Sequence, residues 1–342
     1  SENTTGDNNT ACGRSALAYN TTGSQNTAVG RGALDANTTA SSNTAVGYYA
    51  LTANTTGASN TAVGKGALDA NTTASYNVGV GIDALGKNTT GTANCAVGGF
   101  ALEDNTTGDY NTGLGRNALT NNSTANDNTA VGYAALAANT TGTRNTAVGK
   151  NALSANTTAD DNVAIGNDAM EDNTTGHSNV AIGQNALHNN NSNYNVAIGE
   201  GVMTTATTSQ FNVAVGYAAL DAANADHNTA LGYSASGAVT TGHSNTSVGY
   251  NALDSCTTGT TNVAIGRQAA DGITTGSNNV AIGYDSAGSG VGNVQTSSNN
   301  ICLGNNNSTD AFIKIDWTVG SDRRDKTDIE PFTHGLSWIN KL

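Results

Sequence analysis

The sequence predicts an all-β fold, a parallel β-solenoid (β-roll) of 17-residue coils. Three observations predict it: an asparagine recurring at near-constant spacing, a glycine always four residues later, and a short alternating segment between them. The asparagines are Asn9, Asn26, Asn43, Asn60, Asn77, Asn94, Asn111, Asn128, Asn145, Asn162 and Asn179, each 17 residues from the next. Asn195, Asn212, Asn228, Asn245, Asn262, Asn279 and Asn300 follow, with two intervals shortened to 16 and the last lengthened to 21.

With this asparagine as position 0, the unit reads N-T/V-A-V/I-G-x-x-A-L-x-x-N-T-T-G/A-x-x. Positions 1 to 3 alternate as a strand does. Position 4 is glycine in all eighteen units, from Gly13 to Gly304, which marks a corner needing positive φ or close backbone approach. Position 3 (Val29, Val46, Val63 to Ile282) and position 8 (Leu17, Leu34, Leu51 to Leu253) form aliphatic columns, read as two large inward side chains per coil. Each is worth roughly 2–3 kcal/mol when buried. Ordering each residue of a coil costs on the order of 1–2 kcal/mol in backbone entropy, so a single coil is unstable and coils must stack. At roughly 4.8 Å per coil the stack is a rod about 85 Å long. A helical reading fails because glycine, asparagine and Thr-Thr pairs interrupt every turn.

Positions 2 and 7 are nearly all alanine, for example Ala28, Ala45 and Ala62, then Ala33, Ala50 and Ala67. Such small columns are expected to let another backbone approach, so that three rods share an axis. Position 11 is asparagine from Asn20 to Asn190 and then Ala206, Val239, Cys256 and Ile273, which predicts a partly buried amide ladder in the first part of the rod. The dense N-x-T words read as turn chemistry rather than glycan acceptors.

Composition narrows the function. Of 342 residues, only 5% are aromatic and 11% charged, too few for two ordinary globular domains. A net charge of −13 opposes a nucleic-acid partner. No apolar run reaches the ~20 residues of a membrane span. The chain opens inside a repeat with no signal-peptide pattern, so Ser1 is read as other than a native start. Cys12, Cys95, Cys256 and Cys302 lack metal or redox spacing and are read as small apolar fillers. His177, His188, His227, His243 and His334 do not fall in one common column, and no calcium-binding GGxGxD word occurs, so no metal site and no cofactor are expected.

Position 5 carries Arg14, Arg31, Tyr48, Lys65, Arg116, Tyr133, Lys150, Tyr217, Tyr233, Tyr250, Arg267 and Tyr284, a row suited to cation–π stacking between coils. Tyr217, Tyr233, Tyr250, Arg267 and Tyr284 are the candidate ligand-binding residues, a ribbon for sugar rings; a solvated face is the competing reading. Position 9 carries Asp35, Asp69, Glu103, Glu171, Asp221, Asp254 and Asp271, mostly with a neutral coil between. Periodic scatter of this kind offers no carboxylate pair of the sort a glycosidase needs. Ice binding is disfavoured because Thr-Thr lies beside a glycine turn rather than on a flat T-x-T strand.

After Gly304 the repeat stops, and residues 305–320 read as a connector. Residues 321–342 then bring SDRR at Ser321 to Arg324, with Lys326, Ile329, Gly335-Leu336 and Ile339-Asn340-Lys341-Leu342. This stretch resembles the beginning of the endosialidase-type intramolecular chaperone domain of phage tail fibres and tailspikes, a domain much longer than the part present here. The resemblance implies trimerisation followed by one self-cleavage between Gly320 and Ser321, with Ser321 and Lys326 as a dyad and no turnover of an external substrate. Lysine serves as the base for such a serine when burial lowers its pKa. The NTAVG and NVAIG words are also similar to head repeats of trimeric autotransporter adhesins, which are trimeric β-rolls.

The expectation is a homotrimeric viral tail-fibre shaft or receptor-binding segment, located on the virion. Its partners would be its own copies, other fibre or tail proteins and a host-surface glycan or protein, with neither nucleic acid nor a membrane span. The alternatives are a bacterial trimeric adhesin at the cell surface and the non-catalytic part of a tailspike depolymerase.

Overall fold

A computed structural model describes residues 3–288 and 294–308. It divides the chain into two units, Ser1–Asn306 and Asn307–Leu342. Most of the second unit, including Ser321, Lys326 and the chaperone-like segment, lies outside the described residues, as does most of the connector.

The first unit is a parallel β-solenoid with eighteen three-residue strands, from β1 (Thr10–Cys12) to β18 (Ile301–Leu303). Each strand pairs in parallel with the next, column to column: Thr27 with Thr44, Ala28 with Ala45, Val29 with Val46. The 16-residue coils keep this register, since Val180 still pairs with Val196. Hydrogen bonding between coils continues outside the strands, as when Leu34 N donates to Ala50 O at 3.0 Å and Tyr49 N to Arg31 O at 3.0 Å. This continuity explains how a coil with only three strand residues satisfies its backbone.

Two turn positions dictate their residues. Position-4 glycines have φ between +119° and +148°, Gly304 at +77° excepted. A methyl on Gly149 would stand 2.2 Å from Gly166 O of the next coil, so both reasons for glycine act together. Position 8 is also left-handed, with φ from +51° to +57° at its leucines and methionines. Branching at Cβ is least tolerated there, which accounts for the absence of Val and Ile from a fully buried column.

Inside the coil, the strand's alternation runs opposite to the expectation. Position 2 points inward: Ala28, Ala45 and Ala62 are 0% exposed, as are Ala33, Ala50 and Ala67 of position 7. The small residues therefore bring two walls of the same coil together rather than admitting a neighbouring rod. Position 3 faces out, with Val29 at 37% and Leu231 at 47% exposure, so most coils bury one large aliphatic side chain, at position 8, and not two. The cause is space. At Gly79, a Cβ would already stand 3.3 Å from Leu68 Cγ, so nothing larger than a small side chain fits beneath the opposite leucine.

The rest of the interior is asparagine. At position 0, Asn43 N donates to Asn26 Oδ1 at 2.9 Å, while Asn26 Nδ2 donates to Ala40 O at 2.9 Å. At position 11, Asn37 Nδ2 donates to Asn20 Oδ1 at 2.8 Å and to the same Ala40 O at 3.0 Å. The amide ladder expected at position 11 is thus present, completely buried, and parallel to a second one. These occupied amides leave the buried N-x-T words no free nitrogen for a glycan. In several coils the first ladder gains a second rung: Asn145 Nδ2, Asn262 Nδ2 and Asn279 Nδ2 each reach the preceding Asn Oδ1, at 3.2, 3.2 and 3.1 Å.

Candidate functional site

The tyrosine row forms the ladder that its spacing suggested. Tyr217, Tyr233 and Tyr250 stack with centroids 5.1 and 5.2 Å apart, and the Arg267 guanidinium sits between Tyr250 and Tyr284, at 5.7 and 5.5 Å from their ring centres. Ring faces inside this ladder are therefore covered by one another, and the row presents edges and phenol hydroxyls outward. Each of these tyrosines is about half exposed. A sugar lying along the ribbon would meet hydroxyls and ring edges, a hydrogen-bonding surface more than a stacking platform.

A second aromatic ladder follows the residue just before each position-0 asparagine. Tyr194 and Phe211 stack at 5.2 Å with planes 6° apart, Phe211 and His227 at 5.2 Å and 23°, and His177 meets Tyr194 edge-on at 5.1 Å. Counting forward from each asparagine hides this column, because the coils that end in Tyr194 and His227 are each a residue short. Counting back from Asn195, Asn212 and Asn228 reveals it.

The acidic row titrates unevenly. Burial raises the Asp69 carboxyl above its ordinary value, with repulsion from Asp83 adding to it; burial and then Asp271 do the same to Asp254, which breaks the expected alternation because the two lie in adjacent coils. Glu103 and Glu171 are raised by burial first and by Asp104 and Asp168 second. A carboxyl raised on folding holds its proton more tightly in the rod. Its contribution to stability is complete below the ordinary carboxyl range and fades as pH rises through the folded value. Arg144, which lowers Asp161 through a 2.6 Å bond, works in the opposite sense, but both side chains are exposed and solvent-screened. Circular dichroism melts should therefore show these carboxyls adding to the melting temperature as pH falls from 7 into the ordinary carboxyl range, with Asp254→Asn reducing the difference.

The widest feature is the outer face of the sheet. Position 3 sets Val29, Leu114, Ile165, Ile198, Leu231, Ile265 and Ile282 in register, each 36–47% exposed, beside position-1 Thr and Val residues. This outward face is T/V-x-V/I rather than T-x-T. Among the cysteines, Cys256 replaces an asparagine in the buried position-11 column and its thiol is pushed up to about 11 by burial, while Cys12 is exposed. Cys256 and the part-buried Cys302 fit the filler reading; Cys12 and Cys95 occupy outward strand positions instead. Among the described residues no three His, Cys, Asp or Glu are arranged to hold a metal, and no helix is long and apolar enough to cross a membrane. Ser321 and Lys326 lie outside the described residues. Compared with protein-family models and with curated proteins, the chain matches none of them.

Proposed function

We propose that this chain is the shaft or receptor-contacting segment of a homotrimeric viral fibre, of the phage tail-fibre kind, whose work is reach and attachment to a host surface. The observation that carries the reading is the outward aliphatic stripe, in register along the whole stack of strands. Water-soluble monomers rarely leave so continuous an apolar strip uncovered. Three copies facing a common axis would cover it and leave the tyrosine ladder and the turns for contact with glycans. The resemblance of residues 321–342 to a trimerising chaperone supports the same assembly, with Ser321 and Lys326 as a single-use cleavage dyad at Gly320.

The bacterial trimeric adhesin remains the second reading, because a stripe of this kind serves either assembly and the repeat words are similar to adhesin heads. Immunogold labelling with an antibody against this chain separates the two. Gold along fibres of virus particles in lysates is expected; gold on the cell envelope with bare particles would establish the adhesin instead.

A further inference from the structure

The two 16-residue coils lose the same residue. Bonds between coils fix the alignment: Thr207 N donates to Asn224 Oδ1 at 2.8 Å and Gln210 N to Asp226 Oδ1 at 2.7 Å, and buried Ala225 matches buried Ser209, so the missing residue is the exposed second threonine of the Thr-Thr pair. In the earlier short coil, Thr174 N donates to Asn191 Oδ1 at 2.7 Å and His177 N to Asn193 Oδ1 at 2.8 Å, so the same threonine is missing there. Two gaps thus interrupt the threonine column, one between Thr175 and Thr208 and one between Thr208 and Thr241. They lie two coils apart, roughly 10 Å at strand spacing.

The second gap is a notch of about 350 Å³ lined by Thr208, Asn224, Asp226, His227, Thr241 and His243. Phe211 covers one face of His227, and Ser244 follows in that column, so the other face has no ring over it. Among the described residues, the Asn224 Nδ2, the second oxygen of Asp226 and the Nε2 of His243 have no hydrogen-bond partner. An open ring face beside outward-directed donors and acceptors fits a pyranose, which offers C–H groups on one side and hydroxyls around its rim. No Lys or Arg occurs between Lys150 and Arg267, so a phosphate or a carboxylated sugar would meet no positive lysine or arginine here.

We propose that this notch is a saccharide-binding site for a neutral hexose oligosaccharide running along the rod, with the gap beside Tyr194 taking a further sugar unit. The proposal rests on the reading of the chain as a surface-contacting fibre and assigns the contact to one place on it.

The repeat itself supplies variants that preserve the fold. Ser244 occupies the His227 column one coil later, so His227→Ser removes the platform alone. Serine also stands in the Asp226 column, where Ser41 Oγ accepts from Ser24 N at 3.0 Å; Asp226→Ser therefore keeps the bond between coils and deletes the carboxylate. Saturation-transfer NMR of the full chain with maltose, cellobiose, chitobiose and methyl mannoside should detect millimolar binding of at least one. Each variant, melting like the parent, should bind at least tenfold more weakly. No transfer to any of these sugars, or equal binding by both variants, overturns the proposal. Sugar binding through the notch without gold-labelled fibres would leave the site standing and remove the fibre reading; labelled fibres without sugar binding would do the reverse.

Discussion

Gly149→Ala is expected to break the rod in the middle. The added methyl would lie 2.2 Å from Gly166 O and 2.6 Å from its carbon, at a φ of +139° that alanine strongly disfavours. Backbone cannot yield as a side-chain tip can, and every coil repeats the same contact, so relief would have to spread along the stack. Strain of about 1–3 kcal/mol from the dihedral and a similar amount from overlap put the loss at roughly 3 kcal/mol or more. Because stability in a stack is nearly a sum of neighbouring interfaces, the damage should appear as a split transition. Hydrogen exchange would show fast amides in the coils around Gly149 and protected ones towards both ends. Gly201→Ala is the control. Its φ is +65°, a methyl there would meet nothing within 4 Å, and Ala134 and Ala218 already occupy that column with φ of +54° and +50°. A cost of only about 1 kcal/mol is expected.

Asn128→Asp should be nearly as damaging and, unlike the glycine change, dependent on pH. Asn128 Nδ2 donates to Gly142 O at 2.8 Å, and its Oδ1 accepts from Asn145 N at 3.0 Å. A carboxylate keeps the second bond but points an oxygen at the Gly142 carbonyl, in a site that is 0% exposed. An unpaired buried charge costs about 3–5 kcal/mol. The introduced carboxyl would have a folded pKa above its unfolded one, so the lost stability returns as pH falls towards the ordinary carboxyl range, where the protonated group donates to Gly142 O. Urea unfolding at pH 7 and pH 4.5 checks this: the gap between variant and parent should shrink at the lower pH. Asn190→Ala should cost much less, since the Asn190 side chain bonds only to Ser192 and Ala206 follows in the same column.

These two sites also mark what could be read before the structure was known. The glycine corner, the parallel stacking and the amide ladder were legible because each shows as a residue type recurring at one position coil after coil, whichever way the neighbouring side chains point. The direction of the strand was not legible. A three-residue T-A-V segment alternates equally well in either sense, and hydrophobicity alone would turn Val inward. Only the narrowness of the coil, with Leu68 already against Gly79, decides for alanine. The same inversion transfers the argument for assembly from the alanines, which are used up inside the coil, to the outward Val and Ile residues. The tyrosine ladder was readable from spacing, but its covered ring faces follow from geometry. His227 escaped notice because its coil lacks one threonine, and that same deletion creates the notch.

Solution mass tests most directly the proposal that the outward stripe is an interface between copies of this chain. Multi-angle light scattering should give three times the 34.2 kDa chain mass. The combined change Val131→Asp, Val148→Asp and Ile165→Asp, all on outward strand positions, should reduce the mass to one chain while the β-sheet circular dichroism persists. A parent protein that elutes as a stable monomer of 34.2 kDa would contradict it.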